Sequence, residues 1–346
     1  MFLEKLLSFI KNWFKALLFA GLIILVLRIF IFDTYTVTNN LLEPTLQTGD
    51  FVAINKIKHG SRLPISILSI PFTNLYSDLI SLPYLRIPGF SKINRNELVL
   101  FNYPLESDIP IDKKTKYIKR IVAIPGDTLE ITDKTVFINK ILIDTIDCLK
   151  FNYRVTLNKK EYFLPEQIEK YDITNIQEIS EEGIYDITLS KKFADSLSTQ
   201  KNIKYIRVLK ELRGEGSDLI FPQSKFVMWN KDYFGSLIIP KKGDTIFLNQ
   251  NNFEIYNRLI EVYEKNDLYE KDSKYYINEV QTNKYVIKNN YYFVLDDNRD
   301  NAKDSRSWGF LPENHIIGTP SFIWLSINKS DSFLNKIRWE RIFKSL

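Results

Sequence analysis

One segment at the start of this chain constrains its fold more than any other. Residues 16–27 form an unbroken apolar run, and residues 29–32 extend it past Arg28. Residues 13–32 therefore supply about 20 positions, the length of one helical membrane crossing. Asp33-Thr34-Tyr35 offers no small-x-small cleavage pattern, which favours an uncleaved anchor over a removable signal peptide. Lys5, Lys11 and Lys15 precede the span and Asp33 follows it. The positive-inside rule then predicts a cytoplasmic N-terminus, with everything after Asp33 outside. Arg28 sits about one turn from the outer end, where its long stem can carry the guanidinium to the interface.

The remainder reads as a chain that folds in water. Hydrophobic residues make up 45% and charged residues 26% of 346 positions, close to average globular usage, which excludes wholesale disorder and a polytopic membrane protein. The net charge of +5 is spread thinly, with no basic block, so no nucleic-acid partner is expected. Cys148 is the only cysteine, and His59 and His315 are the only histidines. Disulfides and a Cys/His zinc site lack raw material, and the same scarcity disfavours a histidine-based protease, whose base would have to be one of two histidines in unremarkable contexts. No metal or cofactor is expected, and any catalytic base is Lys or a carboxylate.

Past the anchor, short β runs alternate with turn residues, at 50–56, 98–103, 117–124, 128–138, 245–248, 285–287, 291–295 and 316–325, the pattern of a mainly β fold. Three Gly-Asp turns, at Gly49, Gly126 and Gly243, each open a strand, which is ordinary hairpin chemistry. From residue 148 to 272 the sequence becomes charged and irregular, with helix-like pieces at 191–196 and 253–265. This stretch reads as an α+β insertion into the β core. The predicted organisation is a cytoplasmic N-terminus (1–12), an anchor (13–32), a β core (33–147 and 273–330), the insertion (148–272) and a C-terminal segment (331–346).

Two strand-flanked segments go beyond turn chemistry. They are Val37-Thr38-Asn39-Asn40-Leu41-Leu42-Glu43-Pro44-Thr45-Leu46 and Tyr117-Ile118-Lys119-Arg120-Ile121-Val122-Ala123-Ile124-Pro125-Gly126-Asp127. Together with a third, Asp297-Asn298-Arg299-Asp300-Asn301-Ala302-Lys303-Asp304-Ser305-Arg306-Ser307-Trp308-Gly309-Phe310-Leu311-Pro312, they resemble the signatures of type I signal peptidases, in order and spacing. Residues 229–235 and 337–341 resemble the long, insertion-bearing form found in some Gram-negative bacteria. The resemblance implies a signal peptidase-like β fold and a Ser/Lys-dyad endopeptidase that acts on signal peptides of exported preproteins at the inner membrane.

A serine hydroxyl becomes a nucleophile only when a base takes its proton, and a lysine serves only as the neutral amine. The resemblance puts Lys119 at the general-base position. Strand alternation sets Tyr117, Lys119 and Ile121 on one face and Ile118, Arg120 and Val122 on the other, so one of the two basic residues is expected to face an apolar interior. The same alignment puts Leu41 at the nucleophile position, and leucine cannot attack a carbonyl. Ala302 stands where the family usually carries a serine that bonds the lysine, and Asp296 where a glycine opens the last signature. If Asp296 points inward it favours the ammonium form of Lys119. The implied oxyanion donors are the Leu41 backbone N–H and the Asn39 side chain, and Thr38, on the opposite pleat face, is a poor substitute nucleophile. Val37, Leu46, Tyr117 and Ile118 match the walls of the substrate groove, while Asp297, Arg299, Ala302, Asp304 and Arg306 match positions that support the site.

Loss of a dyad member costs on the order of a million-fold in rate, so the leading expectation is a family member with lost or strongly impaired proteolysis. Peptide binding by strand addition is expected to survive. Its expected partners are signal peptides, membrane lipid and an active paralogue. The alternative is a working signal peptidase that uses Lys119 with an unidentified nucleophile.

Overall fold

The computed structural model describes residues 2–69, 76–77, 79–143, 146, 148–159, 162–216, 218–328 and 336–346, with side chains from residue 6 onward. Residues 331–335 of the predicted C-terminal segment, residues 70–75, 78, 144, 145, 147, 329 and 330 of the predicted core, and residues 160, 161 and 217 of the predicted insertion lie outside the described residues.

The apolar run forms a helix, Phe2–Phe30, of which Leu6–Phe30 is long and apolar enough to cross a membrane. It begins well before residue 13 and stops two residues short of 32, because Phe32 is already the first residue of a strand, Phe32–Thr36. Arg28 is engaged more specifically than by snorkelling alone. Its Nε donates to Asp33 Oδ1 at 3.0 Å, and its carbonyl accepts from Lys56 Nζ at 2.7 Å, which fixes the helix exit to the first two strands.

The central sheet has seven antiparallel strands in the order Phe32–Thr36, Asp50–Asn55, Ile316–Ser326, Leu98–Asn102, Lys116–Ala123, Tyr291–Leu295 and Leu311–Pro312. Leu98–Asn102 and Tyr291–Leu295 are buried at every position, as expected of strands covered on both faces. On one face Leu98, Leu100 and Ile118 pack with Val37, Leu42 and Leu46. On the other, Val99, Phe101, Ile121 and Val294 pack with Trp308.

Residues 128–138, read from the sequence as one run, are a hairpin of Thr128–Thr132 and Thr135–Ile138, turned at Asp133 and Lys134, both at positive φ. The stretch 148–272 is not one packing unit. Its first part forms a four-stranded sheet, Ile203–Val208, Lys150–Leu157, Ile184–Ser190 and Thr174–Ser180, with a helix, Lys191–Ser198, capped by the Ser190 hydroxyl and a core of its own around Val155, Ile187 and Leu197. Its later part joins the main body. Phe234–Ile238 pairs with Thr128–Thr132, and Tyr256, Leu259 and Ile260 share a core with Val122 and Phe293.

Candidate functional site

Three segments distant in sequence converge. The loop after the first strand, the strand Lys116–Ala123 and the turn after Tyr291–Leu295 meet where the central sheet is best covered. A shallow recess there is lined by Tyr35, Val37, Asn39, Leu41, Leu42, Tyr117, Ile118 and Lys119. Leu41 and Lys119 therefore face one cleft. Leu46, expected to wall the substrate groove, is instead fully buried in the apolar core and does not line the recess, and Thr38 is exposed.

Lys119 is 2% exposed and Asp296 fully buried. The Lys119 ammonium donates to both Asp296 oxygens, at 2.7 and 2.6 Å, and lies 5.8 Å from the centre of the Tyr117 ring. Burial pushes the Asp296 carboxyl up to about 6, against the pull of Lys119 and with the help of the neighbouring Asp304. The next backbone donor to Asp296 is the Lys303 N–H, at 3.1 Å. Ala302, one residue earlier, thus lies on the turn that wraps the pair, and its methyl group offers neither residue a hydrogen bond.

Arg120 is also buried, so both basic residues of the strand are inside rather than one. The strand has neighbours on both sides, and each cation has its own aspartate. Arg120 grips Asp297 in a fork, Nε to Oδ1 at 2.8 Å and NH2 to Oδ2 at 2.7 Å, the planar geometry that suits a guanidinium. Thr45 donates to the same carboxylate at 2.7 Å, and the Asn298 N–H donates to the Leu41 carbonyl at 3.0 Å. The last signature thereby holds the Leu41 loop from both ends.

Asp304 and Arg306 form a second buried fork, with Nε to Oδ1 at 3.0 Å and NH2 to Oδ2 at 2.8 Å. Although burial opposes its charge, Arg306 holds the Asp304 carboxyl below its usual range. Arg299 enters this network through its backbone carbonyl, which accepts from Arg306 at 2.6 Å. Asp300 turns elsewhere, to Lys134 at 2.6 Å and the Asn152 N–H at 2.7 Å. The Asp304 carboxylate also accepts the Asp296 N–H at 3.2 Å, so the second fork positions the residue that holds Lys119.

The oxyanion expectation meets a competing contact. The Leu41 N–H donates to Asn39 Oδ1 at 3.3 Å, so the side chain expected to add a donor instead accepts from the other donor. Thr45 and Lys150 were not legible as parts of this site. Thr45 ties the loop to Asp297, and the backbone of Lys150 brackets the last signature, donating to the Asp297 carbonyl and accepting from the Arg299 N–H at 3.0 and 2.9 Å. Lys150 lies far from either motif in sequence, and nothing local marks it.

The site is thus a groove beside a buried, charge-paired lysine on an antiparallel sheet, behind one apolar helix. That combination is a β domain carried by a membrane-length helix. A family model described as signal peptidase, peptidase S26, matches residues 10–197 and 237–325, and the chain belongs to that family of serine peptidases. It is similar to signal peptidase I of Buchnera aphidicola subsp. Baizongia pistaciae, at 26% identity over 331 residues, 93% of this chain and 79% of that one. Signal peptidase I of Aquifex aeolicus is 26% identical over 305 residues, 88% and 80% of the two chains. For Helicobacter pylori the figures are 22% over 362 residues, 100% and 94%.

Proposed function

We propose that this chain is a membrane-anchored signal peptidase I family member that binds signal peptides of exported preproteins and cleaves them at a strongly impaired rate or not at all. In this reading Leu41 occupies the nucleophile position and Lys119 that of the general base. The observation that carries the proposal is the two-pronged contact of Lys119 with Asp296. A dyad base needs a lone pair on the amine. Here two of the three ammonium donors are spent on one buried carboxylate, and deprotonating Lys119 would leave that carboxylate charged and unpaired in the interior, a state that costs several kcal/mol. With no hydroxyl at Leu41 and an unavailable amine at Lys119, both halves of the dyad are disabled.

Peptide binding survives this loss in the proposal. Tyr291–Leu295 pairs with the lysine strand only from Arg120 to Ala123, while Leu98–Asn102 pairs with it on the other side from Lys116 to Arg120. The edge of Tyr117, Ile118 and Lys119 that faces the Val37–Leu41 loop carries no strand among the described residues. An extended peptide laid there would gain main-chain hydrogen bonds, with Val37, Tyr117 and Ile118 shaping the floor. The single apolar helix fits a single-pass inner-membrane protein, and the charge asymmetry around it supports a cytoplasmic N-terminus with the β domain on the opposite side. An active paralogue handling the same preproteins is the protein partner this reading implies.

The test is binding of a labelled peptide that spans a signal-peptide cleavage site to the purified full chain in detergent. Saturable binding with the peptide recovered intact is the expected result. Absence of binding, or release of a cleaved product at an ordinary rate, would overturn the proposal.

A further inference from the structure

A group of basic side chains apart from the cleft has no carboxylate in contact with it among the described residues. Asn102, the last residue of the strand Leu98–Asn102, joins two of them. Its Oδ1 accepts from Arg62 at 2.6 Å, and its Nδ2 donates to the Lys114 carbonyl at 2.8 Å. Arg62 also donates to the Asn314 carbonyl at 3.0 Å, which brings the guanidinium beside the next residue, His315. Lys114 is 8% and His315 3% exposed. Among the described residues neither Arg62 nor Lys114 forms an ion pair, and the Lys114 ammonium has no hydrogen-bond acceptor. The acidic residues of this neighbourhood are taken up by neutral donors. Asp112 accepts the N–H groups of Ile65 and Ser66 at 3.1 and 2.9 Å, Glu106 that of Thr115 at 2.8 Å, and Glu313 the Asn290 amide at 2.8 Å.

His315 carries a second, independent sign of a missing partner. Its Nδ1 meets Asn314 Oδ1 at 2.7 Å, whereas its Nε2 is buried with no partner among the described residues. The Tyr263 ring stands edge-on with its centre 6.1 Å from that of the imidazole, and Arg258 donates to the Tyr263 hydroxyl at 3.3 Å. Burial, Lys114 and Arg62 hold the imidazole well below the usual histidine range, so between these two cations the ring alone stays neutral. An unpaired buried ammonium and an unpaired buried ring nitrogen each carry a desolvation cost, and a buried polar atom without a partner calls for an ion or a water to complete it.

We propose that Arg62, Lys114 and His315 together hold a small inorganic anion, chloride being its representative, as a fixed part of the folded β domain. Charge selects the sign of the occupant, because two permanent cations act on one space. Burial selects its size: a monatomic ion fills about the space of a water, whereas an anion attached to a chain needs a wider opening than these side chains leave. The anion's charge favours the imidazolium, whose Nε2–H becomes a donor to it, so binding takes up a proton and tightens as pH falls. The charged groups that bear on the imidazole are Lys114, from the turn before the lysine strand, Arg62, from the stretch after Asp50–Asn55, and Arg258 behind the Tyr263 ring. Bound there, the anion ties the approach to the lysine strand to the start of Ile316–Ser326, two segments that no ion pair between these residues joins directly.

The experiment uses the full chain in a non-ionic detergent, titrated with sodium chloride at an ionic strength held constant with sodium gluconate, while the chloride NMR line width is followed. Saturable broadening is the expected result. It should be severalfold weaker in Lys114→Gln and unchanged in Lys140→Gln, which removes an exposed cation elsewhere. It should also grow as pH is lowered from about 8 to about 6, and lose that dependence in His315→Gln. Absence of saturable broadening in the unmodified chain would overturn the proposal, since the space then holds water. Equal broadening in Lys114→Gln and Lys140→Gln would overturn it too, by placing the chloride on the general surface. Melting of the unmodified chain gives a reading that needs no variant to fold: a higher melting temperature in chloride than in gluconate is expected, and equal temperatures would contradict the proposal.

Discussion

Asp296 sets both carboxylate oxygens within 2.7 Å of the Lys119 Nζ in a position closed to solvent. In the proposed reading, in which Lys119 stands at the general-base position, this pairing is what withholds its amine from chemistry. The two residues are 177 positions apart in sequence, and their contact joins the lysine strand to the last signature.

Breaking that contact is expected to be costly, and removing it altogether is not. Asp296→Leu leaves a buried cation unpaired and should destabilise the fold by about 3–5 kcal/mol, as should Lys119→Met, which strands the carboxylate, whereas the double variant Lys119→Met with Asp296→Leu should lie near neutral or above. Denaturant unfolding of the four proteins gives the coupling energy. Additive single losses would show that the pair is not an interacting unit.

The pair should also respond to acid. For a carboxyl raised to about 6 in the folded state, the folded chain holds a proton that the unfolded chain has already released at intermediate pH. The contribution of Asp296 to stability therefore falls as pH rises from about 3.9 to about 6. Asp296→Asn should abolish that downward slope, and infrared difference spectra should lose a carboxylic C=O band that titrates near 6. A band that persists in the variant would assign the titration elsewhere.

The supporting fork behaves in the opposite sense. Asp304 is held below its usual range against the effect of burial, so its contribution is present above about pH 3.9 and lost as pH falls further. At neutral pH, Asp304→Ala leaves Arg306 buried without its partner and should cost about 3–5 kcal/mol. An unchanged melting temperature would return these charges to the status of loop decoration.

Restoring chemistry should require more than a hydroxyl. Leu41→Ser alone supplies a nucleophile beside a lysine that remains committed to Asp296. The triple change Leu41→Ser, Ala302→Ser and Asp296→Gly frees the amine and gives it a hydroxyl to aim it, and it should recover far more cleavage than the three single changes added together, because dyad members act as a unit. Equal activity in the single Leu41→Ser variant would mean that Asp296 does not restrain the lysine.

What the sequence disclosed and what it withheld follow from the range of the interactions. Strand periodicity and turn residues are local, so the central sheet and the helix were legible, as were the Gly-Asp turns, in which Gly49, Gly126 and Gly243 all adopt a φ near 91–92°. Signature order was enough to bring Leu41, Lys119 and Asp296 to neighbouring segments. Alternation could not say that Arg120 would be buried beside Lys119, since that depends on Asp297 arriving from 177 residues away. Nor could it divide residues 148–272, because the strand Phe234–Ile238 is assigned to the main body only by its pairing with Thr128–Thr132. The Asn39 contact was missed because an asparagine side chain can donate or accept, and only the position of the Leu41 N–H decides which.

The most direct test of the central claim is to incubate the purified full chain with a preprotein in detergent and follow release of the mature product over time. No mature product above the uncatalysed background is the predicted result, and Lys119→Ala should leave that background unchanged. Cleavage at an ordinary signal peptidase rate that is abolished by Lys119→Ala would contradict it, and would require a nucleophile other than residue 41.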